Sequence, residues 1–331
     1  MRKLLGAVFA FFTLGAVAYP DCIGDNGHTV DSWFMIKAPR GTDVLYYEKG
    51  YNGLQHSKHS ANDTTVGSLG LTIQQLWKHS GLDYVLFNDE IPGTSNYNFS
   101  VGHTKGVWMW DASQQKAIVL HHSTPKFPVG PQSSPSYQGL GSNAWMYGQH
   151  FACFSMSVEA LTTIAKPAQL TVPQIYEKRV SESTPGILAE FANGSYLTDP
   201  DCIVTDFRTT TLNVSYFAKS RQWNKKLYAD CIGPTLRSDL FVESWIRGSQ
   251  CPCGVDNIYD IDKLDFGEGF AFSEYNDHSK WAINDEVVCP SDINRMTTQE
   301  TRGGSAFCFT DATLASALKK SIAGLKCAGP G

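Results

Sequence analysis

Three stretches of the chain read histidine, any residue, lysine: His56-Ser57-Lys58, His103-Thr104-Lys105 and His278-Ser279-Lys280. In an extended strand, residues i and i+2 project to one face, so each copy would set an imidazole beside an ammonium. Two copies facing each other would bring two acid/base or nucleophilic groups and two fixed cations into one pocket. That set can break a phosphodiester without a metal. One imidazole attacks, the other moves the proton, and the lysines hold the developing charge.

The motif is short and arises by chance, so its context must select among the copies. His56 lies in the polar run His56-Ser57-Lys58-His59-Ser60 and reads as a solvated loop. His103 precedes the apolar Val107-Trp108-Met109-Trp110, and His278, 175 positions later, precedes Trp281-Ala282-Ile283. Those two copies can open strands beside a core. The second extends further. Asp285 follows Lys280 after four residues, and Asn294 and Gly303-Gly304-Ser305 lie beyond. A carboxylate there could orient a histidine, and Gly-Ser backbone could approach a phosphate. The first copy has five residues between Lys105 and Asp111, so the longer pattern is imperfect there. His121-His122-Ser123 reads either as further polar groups for the site or as one buried and one exposed histidine at a strand end.

The elements that must carry these residues follow from periodicity and breakers. Strands are expected at 32–36, 44–47, 84–87 and 209–217, and a hairpin from 107–110 to 117–122 across Asp111 to Lys116. Leu71 to His79 and Val158 to Ala165 read as helices, the second ending at Pro167. Pro173 to Tyr176 reads as a helix start, with Ile187 to Ala192 continuing that region. Leu240 to Ile246 is ambiguous. Asp311 to Lys326 carries Leu314, Leu318, Ile322 and Leu325 on one helical face, with Thr310 or Asp311 as cap. Strands and helices alternate without a low-complexity linker, which favours α/β layers.

The compartment is legible at the N-terminus. Arg2 and Lys3, an apolar run from Leu4 to Ala18 and the small-x-small site Ala16-Val17-Ala18 read as a signal peptide, 1–18, and no membrane anchor is expected after it. All nine cysteines follow that site. The chain has no Cys-x2-Cys pair and no histidine cluster near Cys251-Pro252-Cys253 or Cys289, so disulfides are favoured over zinc. An odd count leaves one thiol free or shared between chains. Four sequons, at Asn62, Asn98, Asn193 and Asn213, agree with secretion and belong at the surface. The formal net charge of −5 becomes −7 without Arg2 and Lys3, and protonating all nine histidines would carry it to +2. An acidic lumen would thus turn a surface that repels polyanions into one that attracts them.

The paired His-x-Lys motifs resemble the phospholipase D superfamily, whose two halves meet at one site. More closely, the chain resembles the deoxyribonuclease II family. The matching stretches are Cys22-Ile23-Gly24-Asp25, Asp31-Ser32-Trp33-Phe34, Asn88-Asp89, Gly102-His103-Thr104-Lys105-Gly106-Val107, Tyr147-Gly148-Gln149, Phe217-Ala218-Lys219, Asp277-His278-Ser279-Lys280-Trp281, Asp292-Ile293-Asn294-Arg295 and Gly303-Gly304 with Cys308. The resemblance runs from the mature N-terminus to Cys327.

The resemblance implies an α/β fold of two pseudo-symmetric phospholipase D-like halves, 19–160 and 161–331. Each would be a mixed β-sheet flanked by helices, in one clamp-shaped unit around duplex DNA. It implies an acid endonuclease of lysosomes or secretions, needing no cofactor or metal and leaving 3′-phosphate ends. His103, Lys105, His278 and Lys280 would be catalytic, with Asp285 and Asn294 in support; which histidine attacks is left open. The family disulfides would map as Cys22 to Cys153, Cys253 to Cys327 and Cys289 to Cys308. Pairing Cys202 with Cys231 then leaves Cys251 odd. The oligomeric state, including a homodimer, is open. The rival readings are a secreted phosphodiesterase acting on lipid or oligonucleotide, a DNA-binding relative without catalysis, and a cysteine-rich binding module.

Overall fold

The computed structural model describes residues 19–95, 97–247 and 257–326. The expected signal peptide, Cys251 and the Cys253 to Cys327 pairing lie outside these residues. Two sheets dominate, and a short ladder of β1 (Cys22–Ile23) and β2 (Thr29–Val30) precedes them. The first sheet holds β3 (Ser32–Lys37), β4 (Val44–Glu48), β5 (Gln55–His56), β6 (Asp83–Asn88), β7 (Lys105–Asp111), β8 (Lys116–His122), β9 (Gln149–Ser157) and β10 (Ile175–Arg179). Its order is β10-β6-β7-β8-β9-β3-β4-β5, antiparallel throughout.

The second sheet holds β11 (Cys202–Arg208), β12 (Asn213–Lys219), β13 (Leu240–Ser244), β14 (Ile258–Asp265), β15 (Ala271–Ser273), β16 (Lys280–Ile283), β17 (Val287–Pro290), β18 (Gly304–Thr310) and β19 (Ile322–Leu325). Its order is β11-β12-β18-β17-β16-β13-β14-β15, with β19 also on β14; only the β13–β14 pair is parallel. The fold is therefore mixed α/β, but hairpins rather than β-α-β crossovers build its sheets. The helices are short: α1 (Gly67–Ile73), α2 (Gln75–Lys78), α3 (Ser142–Met146), α4 (Val158–Ala168), α5 (Gly186–Ala192), α6 (Gly233–Leu236) and α7 (Ala312–Lys320). Among the described residues, no helix is long and apolar enough to cross a membrane.

The central strands are apolar on both faces because both faces are covered. Trp108 and Trp110 of β7, Phe34 and Ile36 of β3, and Val119 of β8 enter a core between the sheets. Val107, Met109, Trp33, Met35 and Leu120 enter a second core on the outer face of the first sheet. The second sheet repeats the division. Trp281, Ile283, Phe307 and Phe309 face the shared core, while Ala282, Ala306 and Cys308 face outward. Phe154 of β9 meets Phe307 of β18 at 5.5 Å between ring centroids, joining the sheets.

Several expected elements are revised. The region 173–176 leads into strand β10 rather than a helix, and this strand, beyond residue 160, completes the edge of the first sheet. Sheet membership changes between Arg179 and Cys202. The helix expected over 311–326 ends at Lys320. Ile322 and Leu325, which fit its apolar stripe, instead lie in β19 against β14, where Gly324 suits a strand edge better than a helix interior. Asp311 does cap α7, accepting from Leu314 N at 3.0 Å. β11 was not foreseen; it is an edge strand whose residues, Phe207 apart, are partly or fully exposed. Helix α4 runs past the expected stop, through Pro167 to Ala168.

Among the described residues, three disulfides join Cys22 to Cys153, Cys202 to Cys231 and Cys289 to Cys308. The first ties the N-terminal strand to β9 over 131 positions, the kind of long loop whose closure constrains the unfolded chain most. All four sequon asparagines are exposed.

Candidate active site

Lys105 and Lys280 are the first residues of β7 and β16, so each histidine stands two residues before its strand. Outside the ladder, each histidine backbone docks on the opposite sheet. His103 N–H donates to Gly303 O at 2.8 Å, just before β18, and His278 N–H donates to Gly148 O at 2.9 Å, just before β9. The approach needs glycine. A Cβ on Gly303 would lie 2.3 Å from Thr171 O, and one on Gly148 would lie 2.5 Å from Asp277 Oδ1. Each motif is thus braced by the other sheet, and both reach one cavity of about 340 Å³. His103, Lys105, His278, Lys280 and Asn294 line it, with Tyr97, Phe99 and Trp245 among its walls.

His103 is 8 % exposed, and its Nδ1 lies 2.6 Å from the backbone carbonyl of Asp292. A carbonyl only accepts, so Nδ1 carries the proton and a neutral ring keeps its lone pair on Nε2. Burial, then Lys105, Arg302 and Lys280, hold this imidazole well below its ordinary pKa. Asp89 lies 3.7 Å from His103 Nε2, is ion-paired with Lys105 and accepts from Arg302 Nη2 at 3.2 Å. Burial works to raise this carboxyl, but Lys105 and Arg302 outweigh it and keep it below the usual range.

His278 is stacked on Tyr147, with ring centroids 3.9 Å apart, and Trp245 lies at 4.5 Å. Its Nε2 is buried without a hydrogen-bond partner. Burial first, then Lys280, Lys105, Arg247 and Lys37, push its pKa down to about 2. Lys280 Nζ donates to His278 O at 2.6 Å, and its backbone N–H donates to His150 Nδ1 at 3.1 Å. Burial and the neighbouring Lys105 lower the Lys280 ammonium to about 7. Ser279, on the opposite face, is tied to Asp277.

The support anticipated for His278 is distributed differently. Asp285 is 81 % exposed and pairs with Lys319 at 2.5 Å, so it orients neither histidine. It sits beyond the end of β16, in the turn to β17, where the strand carries it away from the motif at its start. Gly303 and Asp292 serve His103 instead, and Ser305 N and Oγ bind Asp292 Oδ2. Asn294 is at the cavity, its Oδ1 buried and unpartnered. His121 and His122 are both buried, at 3 % and 0 % exposure, and His121 Nε2 lies 3.7 Å from Asp292 Oδ1. His56 is in the edge strand β5, with its side chain 43 % exposed and 3.5 Å from Glu268, and does not line the cavity.

Asp89, Tyr147, Gly148 and Asp292 lay within the family-like stretches but had no role assigned from sequence. Arg302, Trp245, Tyr97 and Phe99 carried no local signal. Among the described residues, no three His, Cys, Asp or Glu side chains are grouped so as to hold a metal ion.

Comparison with known proteins covers nearly the whole chain. The family model described as Deoxyribonuclease II matches residues 21–327. A putative deoxyribonuclease-2 of Burkholderia thailandensis is 35 % identical over 326 residues, covering 89 % of this chain and 90 % of that protein. Deoxyribonuclease-2-alpha of Rattus norvegicus is 31 % identical over 338 residues, covering 92 % and 93 %. Plancitoxin-1 of Acanthaster planci is 27 % identical over 333 residues, covering 91 % and 90 %. With nearly its whole length matched and both His-x-Lys motifs at one cavity, the chain belongs to the deoxyribonuclease II family and is a hydrolase of that kind.

Proposed function

We propose that the protein is an acid endodeoxyribonuclease that hydrolyses duplex DNA without a divalent metal, through a phosphohistidine on His103. The observation that carries this reading is the convergence of both His-x-Lys motifs on one cavity. The Nδ1 contact to Asp292 O supports His103 as nucleophile, because it leaves the Nε2 lone pair for phosphorus. His103 Nε2 attacks, the P–O5′ bond breaks, and His278 gives its proton to the departing 5′-oxygen. Water then loses a proton to His278 and attacks the phosphohistidine, freeing His103 and leaving a 3′-phosphate. Lys105 and Lys280 hold the non-bridging oxygens.

The acid must be charged, yet the free site keeps His278 neutral. To be half-protonated at about pH 5, it needs about 4 kcal/mol in favour of its charged form. A phosphodiester anion ~4 Å away supplies about that much at an effective dielectric of ~20. The substrate thus charges its own acid, and acidity does the rest.

The same run of four neighbouring antiparallel strands, β6-β7-β8-β9 and β13-β16-β17-β18, supports a pseudo-symmetric clamp. Three disulfides and four exposed sequons support a lysosomal or secreted glycoprotein made with a signal peptide.

Plasmid nicking at about pH 5 in the presence of chelator tests the reading, with the ordinary histidine pKa of ~6.5 as guide. The unaltered protein nicks; His103→Ala and His278→Ala do not; His56→Ala nicks normally. Near-normal turnover in either cavity variant ends the two-histidine mechanism. Activity on phospholipid alone favours a different phosphodiesterase, and binding without nicking favours a non-catalytic relative.

A further inference from the structure

The cavity has aromatic walls that the hydrolytic steps do not use. Phe99 is 74 % exposed and Tyr97 is 36 % exposed, with ring centroids 4.2 Å apart, and both line the cavity with His103 and His278. A single exposed aromatic needs no explanation. This pair is anchored. Arg302 donates to Tyr97 Oη and lies over its ring at 5.3 Å. The same guanidinium binds Asp89 and the carbonyls of Val101 and Gly102. Arg221 Nη1 holds Ser100 O at 2.7 Å. The segment carrying Phe99 is therefore fixed to the network that positions Lys105 and His103, while the Phe99 ring itself is left in solvent. A cavity of about 340 Å³ is at the small end of ligand pockets, roughly 300–1,000 Å³. It can take one nucleotide unit but not a stacked duplex.

We infer that Phe99, backed by Tyr97, is a stacking platform for a DNA base adjoining the scissile phosphate, which leaves the duplex stack as its linkage enters the cavity. The inference rests on the nuclease reading above. Stacking tolerates any base, so it adds affinity without imposing a sequence. Anchoring through Arg302 couples base capture to the side chains that receive the phosphate.

The test uses two duplex oligonucleotides, identical except for one abasic residue, with cleavage at each linkage mapped on a sequencing gel. The unaltered protein should cut the linkage beside the abasic residue about tenfold more slowly than the same linkage with its base, the scale of one lost base–aromatic stack. Phe99→Ala should slow the intact linkage about tenfold and the abasic one no further, and Phe99→Trp should restore the difference. An unchanged melting temperature confirms that these exposed-site variants fold. If Phe99→Ala slows both substrates equally, or neither, or if base removal has no effect on the unaltered protein, the platform is wrong while the nuclease reading stands. If the unaltered protein leaves both duplexes uncut, the nuclease reading fails and the platform with it.

Discussion

Around His103 and Lys105, positive charge is met by negative charge. Asn88 pairs in register with Lys105, and the next residue, Asp89, binds that lysine and Arg302. Around His278 and Lys280, Ser244 takes the register position of Asn88, and the next residue is Trp245. The backbone arrangement is alike in both copies, down to the glycine on which each histidine docks. What differs at that position is the neighbour, a carboxylate in one copy and an indole in the other. Lys105 is neutralised before substrate arrives. Among the described residues, no carboxylate stands within ion-pair distance of Lys280, and its depressed pKa records the cost of that burial. On the proposed mechanism the first copy holds the nucleophile in place, and the second holds a cation without an ion-pair partner among the described residues, whose counter-ion would be the substrate phosphate.

The two lysines should therefore respond oppositely to removal of their charge. Lys105→Met leaves Asp89 buried with only part of its compensation and should cost about 3–5 kcal/mol of stability. Lys280→Met removes a buried charge with no ion-pair partner among the described residues and should raise stability by about 1 kcal/mol at neutral pH. Both should lose cleavage. Chemical denaturation of the two variants measures this, and changes of the same sign would break the contrast between the copies.

A smaller difference separates the docking glycines. An added methyl on Gly303 meets Thr171 backbone, with O, C and Cα at 2.3, 2.8 and 3.0 Å. On Gly148 the closest atoms are side-chain atoms of Asp277, at 2.5 and 3.0 Å. Backbone yields less than a carboxylate. Gly303→Ala should displace His103 and lower kcat about 100-fold, the scale of a misplacement near 1 Å. Gly148→Ala should lower it less. Single-turnover rates decide; the reverse ranking would mean that the carboxylate clasp of Asp277 and Ser279 is the stiffer support.

Much of this site was legible because strand geometry is local. His-x-Lys before an apolar run predicts a paired imidazole and ammonium at a strand start, and both surviving copies occupy such starts. The hairpin 107–122 was equally plain. What could not be read was the bracing. Asp285 looked well spaced along the chain, yet β16 carries it away from the cavity, whereas Asp292 and Gly303 return to His103 through a sheet crossing about 200 residues of sequence. Ile322 and Leu325 fitted a helical stripe, but the open edge of β14 claimed them as a strand. Local periodicity does not record which edge is vacant.

The contrast between the copies also has a signature in pH. kcat/KM follows the ionisation of the free enzyme. In the proposed mechanism His278 carries a proton, and its pKa in the free site is about 2. Above that value its charged fraction falls tenfold per pH unit, so log kcat/KM should decline by about one per unit through the acid and neutral range. Lys280 must also be charged to hold the phosphate, and its pKa is about 7. Its ammonium is present below that pH and lost above it, so the decline should steepen to about two per unit in weakly alkaline solution. Arginine keeps its charge throughout this range. Lys280→Arg should remove the steepening while leaving the gentler slope, whatever it does to the absolute rate. A profile that steepens near 7 in the variant as well would assign the second titration to another group, and the burial of Lys280 beside Lys105 would then have no part in the acid preference.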